Sequence, residues 1–316
     1  MIVTPFCCSS TGRLAQVLAI DPAVPYRAHR ERIGHTPFDR WAVDRSARLL
    51  CNSTGAFETG NGAIGWKALA WDSEFFGFPA ARLEVLTVSG GYNEARHVAT
   101  QLIKRAVDDA IAKGVRHIVA RVDASSLTHA HALAEHGFEL IDGIQTFALD
   151  VAASTATEAP TNTRLAIASD SDAVGGIARS SFIYDRFHND VTIGTEAANR
   201  LHEAWARKSL AGTVADAVLV AASADDAIEG FVTVKVDPFS PGLRIATIPL
   251  VATSLECRGK GAARRATAAA IAWCRSTGID IVEVGTQISN IPAARLYQSA
   301  GFRTTAISLT YRKWID

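Results

Sequence analysis

The stretch that most constrains this chain lies between residues 244 and 302. RIATIPLVAT (244–253) is a β-branched run of strand length, and after Gly261 the sequence AARRATAAAIAWCR carries good helix formers with an apolar stripe. Between them sits RGKG (258–261), so a strand feeds a glycine loop that opens a helix. Such a junction suits an anion, because the first-turn amides of a helix lack internal partners and the helix dipole is positive at that end. Glycines at 259 and 261 keep side chains out of the way of a pyrophosphate, and Arg258, Lys260, Arg264 and Arg265 add positive charge. Taken alone, the same pattern also fits an ordinary tight turn.

A second buried-strand run, GIDIVEVGT (278–286), leads into ISNIPAARLYQSAGF (288–302). R-x-x-G-x-A at Arg258, Gly261 and Ala263, followed by N-x-x-A-x-x-L-Y-x-x-x-G-F at Asn290, Ala293, Leu296, Tyr297, Gly301 and Phe302, resembles the GCN5-related N-acetyltransferase (GNAT) superfamily. The resemblance is strongest over the second half of the chain. It implies an α/β (α+β) fold of mixed sheets flanked by helices, with acetyl-CoA as cosubstrate and an amine as acceptor. The amides of Arg258, Gly259, Lys260, Gly261, Ala262 and Ala263 would then grip the pyrophosphate. Leu250, Val251 and Thr253 would offer backbone groups to the pantetheine arm, and an amide there would polarise the thioester carbonyl. Pro249 has no amide, so that donor is Leu250 or a later residue. Asn290 matches the family's pantetheine-contacting asparagine, and Tyr297 the tyrosine that protonates the departing thiolate, a task a phenol can perform as a neutral donor. The other reading of Tyr297 is a core aromatic on a helix face.

Going back towards the start, the same order of elements is met once before. Gly114 and Gly278 close two long helices and Gly137 and Gly301 begin two GF pairs; both pairs are 164 residues apart, the mark of a tandem duplication. At that offset Asn290 meets Ser126, Tyr297 meets Leu133, Arg258 meets Glu94 and Gly261 meets His97. A carboxylate in place of Arg258 would repel a pyrophosphate, so the first copy is expected to be degenerate, with a structural or substrate-shaping role. The expected layout is an N-terminal extension (1–65) without assignable structure apart from one amphipathic helix (38–50), a degenerate domain (66–150), a small polar linker (151–163) and a catalytic domain (164–316). The aromatic group Trp66, Trp71, Phe75, Phe76 and Phe78 is expected to be packing.

Thirty-two basic and 32 acidic side chains cancel, leaving no electrostatic footprint for nucleic acid or an acidic membrane surface. No apolar stretch of membrane-spanning length occurs, and no signal-like leader. Five cysteines, odd in number and without metal-type spacing, predict no disulfide framework and no metal site, and fit a reducing cytoplasm.

A narrower likeness is to the dTDP-4-amino-sugar N-acetyltransferases, carried by WDSEFFGFPAARL, LAEHGFELIDG, RFHND, LHEAWARKSLAG and TQISNIPAARLYQSAGF. It implies a dTDP-activated 4-amino-6-deoxy sugar as acceptor. By their chemistry Arg186 and Phe187 suit acceptor contacts, one on a nucleotide phosphate and the other stacked on a base or sugar, with Asp190 as a third substrate candidate; the other reading is that Arg186 and Phe187 simply tether the loop. Asp185, His188, Asp190, Glu256 and a water chain are all candidates for the base. Two alternatives stay open: transfer to another small amine such as an amino acid, polyamine or aminoglycoside, or a catalytically silent acyl-CoA binder. A homodimer is compatible with each reading.

Overall fold

In the computed structural model the described residues are 2–19, 24–154 and 158–315. They divide into two compact units, Met1–Gly143 with Ile307–Asp316, and Ile144–Ala306.

The first unit opens with β1 (Thr4–Pro5), α1 (Thr11–Ala19), α2 (Arg30–Ile33) and α3 (His35–Cys51). A hairpin follows, β2 (Gly55–Thr59) and β3 (Gly62–Ala68), then α4 (Ala70–Phe76), β4 (Ala80–Val88), α5 (Tyr92–Ala112), β5 (His117–Asp123), α6 (Leu127–Glu135) and the start of β6 (Glu139–Asp150). Along α5, Val98, Leu102, Ile103, Ala106, Val107 and Ala110 recur at helical spacing and are buried against Ile64, Trp66 and Ile118. The described residues up to 65 belong to this unit: Leu14 and Val17 of α1 and Ala47 and Leu50 of α3 close a smaller core with Ala63 and Val85. The aromatic group packs as expected, Trp71 on Phe75 at 5.6 Å and Phe78 on Trp314 at 4.7 Å, while Trp66 donates Nε1 to Asp109 at 3.0 Å.

The expectation of no disulfide is corrected here. Cys8 is bonded to Cys51, with Cα atoms 5.8 Å apart, because the start of α1 packs against the end of α3. An odd cysteine count says nothing about which two side chains the fold brings together.

The second unit contains β7 (Thr163–Leu165), α7 (Ser171–Ser181), α8 (Arg186–Asn189), α9 (Thr195–Leu210), β8 (Ala217–Ala222), β9 (Ile228–Val236), β10 (Ile245–Ile248), β11 (Val251–Thr253), α10 (Ala262–Ser276), β12 (Ile281–Gln287), α11 (Ile291–Ser299) and the start of β13 (Arg303–Trp314). Of the expected linker, residues 155–157 lie outside the described residues, and Thr163 already begins β7. The strand order is β7–β8–β9–β10–β12–β6, with β10 and β12 parallel and β11 paired to β9. Each repeat donates its last strand to the other's unit. Residues 144–150 run antiparallel to β12, Asp150 opposite Ile281, and residues 308–314 run antiparallel to β5, Trp314 opposite His117.

Candidate active site

The site grows from a break in one strand. β10 pairs with β12 only as far as Ile248 opposite Val284; after Pro249 the chain resumes as β11, which pairs with β9 alone, while the rest of β12 pairs with residues 144–146. Two neighbouring strands thus part. The amide of Thr233 bonds to the carbonyl of Leu250 at 2.9 Å, and that of Ser254 to the carbonyl of Glu229 at 2.9 Å. Since alternate residues of an antiparallel strand face the partner, the backbone groups of Val251 and Thr253 face the parting. The Leu250 amide is occupied: it donates to Thr233 Oγ1 at 3.0 Å. Thr233 is fully buried and holds the break open, a part that sequence reading missed although its hydroxyl is the one polar group in the apolar run FVTV.

Side chains also sort by face. Val251 packs with Ala262, Ala266, Val284 and Tyr297, beneath α10 and α11, whereas Leu250 and Ala252 pack with Val174, Ile177 and Phe182 on the α7 and α9 side.

At the end of β11 the chain turns through Leu255–Cys257 into Gly259, φ +75°, and Gly261, φ +86°. Both backbones are left-handed, which an L side chain resists by about 1–2 kcal/mol. A Cβ at either position would meet nothing within 4 Å. Glycine is therefore required by conformation, and the space above the loop is open. No side chain caps α10, so its first amides are left for a ligand. Arg258, Lys260 and Arg264 are exposed, and Arg258 reaches the carbonyl of Ser181 at 3.4 Å. Arg265, counted with these cations from the sequence, instead forms a salt bridge with Glu229 and turns away from the loop. Ala262 is buried and begins the alanine face on which α10 lies against β8 and β9; Ala263 follows it in the uncapped turn.

Asn290 caps α11, its Oδ1 accepting the Ala293 amide at 3.2 Å, and its Nδ2 has no partner among the described residues. Tyr297, on the same helix, is 3% exposed, its ring tilted against Phe147 at 5.7 Å and Phe302 at 6.0 Å. Burial pushes its phenol well above the usual tyrosine range, so it stays protonated. No residue described here bonds to its hydroxyl. Tyr297 is thus a core aromatic whose phenol stays protonated.

The residues expected at the acceptor are placed less openly. Arg186 lies 3.9 Å above the ring of Phe187, which is buried, and Asp190 is 1% exposed with Oδ1 accepting the Thr192 amide at 3.1 Å. Asp185 caps α8, and both ring nitrogens of His188 meet oxygen partners, Asp185 at 2.7 Å and Asn199 at 3.0 Å. Among the base candidates only Glu256 is exposed. Ser181, another residue the sequence did not single out, donates Oγ to the carbonyl of Thr253 at 3.0 Å and so ties the end of α7 to the parted strand.

Residues 181–302 match the model of the acetyltransferase (GNAT) family. The chain is 24% identical over 233 residues to the dTDP-fucosamine acetyltransferase of Escherichia coli O6:H1, covering 74% of this chain and 91% of the relative. It is 28% identical over 148 residues to the spore coat polysaccharide biosynthesis protein SpsD of Bacillus subtilis, 46% of this chain and 48% of that one. Among solved structures, a GCN5-related N-acetyltransferase from Sphaerobacter thermophilus superposes with a TM-score of 0.61 at 14% identity, covering 99% of this chain and 95% of that one. A tandem GNAT protein from the clavulanic acid biosynthesis pathway superposes with a TM-score of 0.57 at 16% identity over 99% and 98% of the two chains.

Proposed function

We propose that this chain, whose residues 181–302 match the GNAT acetyltransferase family, transfers the acetyl group of acetyl-CoA to the amine of a dTDP-activated 4-amino-6-deoxy sugar. The observation that carries the reading is the parting of β11 from β12, flanked by the uncapped start of α10 and the protonated Tyr297. Acetyl-CoA would lie with its pyrophosphate on the amides of Gly259, Gly261, Ala262 and Ala263, since those of Arg258 and Lys260 already donate to the carbonyls of Leu255 at 3.4 Å and Cys257 at 3.2 Å, and with its pantetheine arm along Val251 and Thr253 and Asn290 Nδ2 as a further donor. Because Thr233 occupies the Leu250 amide, the oxyanion falls to Val251.

The acceptor amine enters from the α7 and α9 face, where Arg186 would meet its phosphates while Phe187 and Asp190 hold the turn. Its nitrogen attacks the thioester carbon, the carbon–sulfur bond breaks, and Tyr297 gives its proton to the sulfur. Glu256 or water takes the proton that the amine loses. Much of the acceleration comes from holding two reactants at one gap. The E. coli relative, by its name an acetyltransferase of dTDP-fucosamine, supports this acceptor class. The first repeat serves as a degenerate, structural copy.

The test is thiol release from acetyl-CoA with dTDP-4-amino-4,6-dideoxygalactose, beside amino acids, polyamines and an aminoglycoside. Turnover dependent on both substrates is expected with the sugar nucleotide. Turnover with another amine alone would replace the acceptor, and acetyl-CoA binding without any turnover would overturn the catalytic reading.

A further inference from the structure

The transfer chemistry leaves a buried group of titratable side chains unused. Asp185 Oδ1 accepts the amides of Phe187 at 2.9 Å and His188 at 3.3 Å, and Oδ2 lies 2.7 Å from His188 Nδ1 and 3.6 Å from His202 Nε2. Nε2 of His188 meets Asn199 at 3.0 Å, and Nδ1 of His202 donates to the carbonyl of Ala198 at 2.9 Å. Asn199 of α9 is thereby joined to His188 of α8, and His202 is packed beside Asp185. The His202 ring is stacked on Phe182 at 4.4 Å and on His188 at 5.6 Å, with the edge of Phe187 at 6.1 Å. Phe182 directly follows Ser181, which is bonded to Thr253 at the parted strand and to Arg258 at the glycine loop. The side chains of His188 and His202 are only 6% and 3% exposed, which leaves neither as a solvent-facing base.

We infer that Asp185, His188 and His202 are positioning residues that clamp residues 182–190 onto α9, so that this segment holds the acceptor against the edge of Val251 and Thr253. The inference rests on the transfer reading above. The clamp acts through the segment and touches neither reacting atom. A loose loop would cost the acceptor its ordering entropy at every binding event.

Protonation gives the clamp a pH window. Burial works against the charge on His188, but its bonds to Asp185 and Asn199 outweigh this and hold its pKa above the ordinary imidazole value. Burial likewise opposes the Asp185 carboxylate, and the bond from His188, aided by the Phe187 amide, overcomes it. His202 is shifted the other way, burial outweighing Asp185, and stays neutral. Among the described residues, the titratable groups facing one another here are these three. Arg186 and Asp190 share the segment, and on the neighbouring helices Arg179, Glu203 and Arg207 pair among themselves. The contribution of His188 is complete below its unfolded pKa and fades as pH rises through the raised folded value. Those of Asp185 and His202 are present above their unfolded values and fade as pH falls through their lowered ones.

The experiment combines kinetics with amide hydrogen exchange on the full chain. Asp185→Asn should raise the acceptor KM at least tenfold while acetyl-CoA Kd stays within twofold, and should speed exchange of the 182–190 amides at least tenfold with β12 unchanged. The wild type should show acceptor KM rising on the alkaline side of the imidazole range; His188→Gln, which keeps a hydrogen-bonding side chain without the charge, should lose that limb and retain part of the affinity. Unchanged exchange in Asp185→Asn, or an effect confined to acetyl-CoA affinity, would overturn the clamp. So would loss of activity on chelation and its return with zinc, since the three side chains also bring metal-ligand atoms within 4.8 Å of one another. If no amine is turned over by the wild type, the transfer reading fails, while the exchange measurement still decides whether the three residues clamp the segment.

Discussion

Replacing Tyr297 by phenylalanine removes one oxygen and little else. The ring keeps its contacts with Phe147 and Phe302, and the hydroxyl leaves no bonded partner orphaned among the described residues, so stability should change by less than about 1 kcal/mol. On the proposed mechanism, what disappears is the proton for the departing sulfur. General acid catalysis contributes roughly 10²–10⁴-fold, and water reaching the gap would substitute in part, which favours the lower end. A drop in kcat of about 10²-fold corresponds to about 2.7 kcal/mol of transition-state stabilisation. The assay is thiol release at saturating acetyl-CoA, with its Kd measured separately by calorimetry. Because burial raises the phenol, kcat of the wild type should not fall from tyrosine ionisation below the usual value near 10. A kcat within about twofold of wild type, or a loss matched by weaker acetyl-CoA binding, would refute the proton-donor role.

Other perturbations test the frame around that oxygen. Gly261→Ala forces a methyl-bearing residue to φ +86°, and should weaken acetyl-CoA about tenfold by calorimetry, in line with a cost of 1–2 kcal/mol at the loop. Thr233→Val preserves shape but strands the buried Leu250 amide; the urea midpoint should drop by the equivalent of about 1–3 kcal/mol, and an unchanged midpoint would mean that Thr233 does not hold the break. A chain of residues 164–316 lacks the strand that pairs with β12 and the Phe147 wall of Tyr297, so it should give no cooperative thermal melt.

The strand, glycine loop and helix were legible because local signals agree: β-branched residues, left-handed glycines and an alanine stripe each fix one element. The duplication was legible to the residue, since β5, α6 and β6 recur as β12, α11 and β13 with every boundary displaced by 164. What local signals could not carry was partnership. Two last strands of similar pattern fit either middle strand, and nothing in FALDV or YRKW says that each joins the other repeat's unit. NSTGAFETGNGAIG reads as turns or a hairpin end, and its glycines conceal how far the strands of residues 55–68 extend: Gly62 and Gly65 lie within them, where a Cβ would collide with the Thr87 carbonyl and Ser53. The burial of Asp190 and the engagement of His188 depend on α9, which lies outside the motif in sequence.

The two repeats show how a scaffold can persist while the glycine turn before one of its helices does not. At the offset of 164, the turn before α10 corresponds to residues that the first unit spends on helix: α5 begins at Tyr92, whereas its counterpart α10 begins only at the equivalent of Val98. Glu94 and His97 are thus more than unfavourable residues in a loop; there is no loop. Further on, Ala293 is replaced by His129, 4% exposed, its Nδ1 paired with Ser126 at 2.7 Å and its pKa pushed down to about 4 by burial. A neutral imidazole stands where the second unit has alanine, and Leu133 stands where it has Tyr297. Changing one residue would not give the first repeat the second's arrangement, because the backbone before the helix and two side chains on the next one all differ. The second repeat holds the glycine turn, the alanine and the tyrosine together, and it is their joint presence that favours the proposed chemistry there.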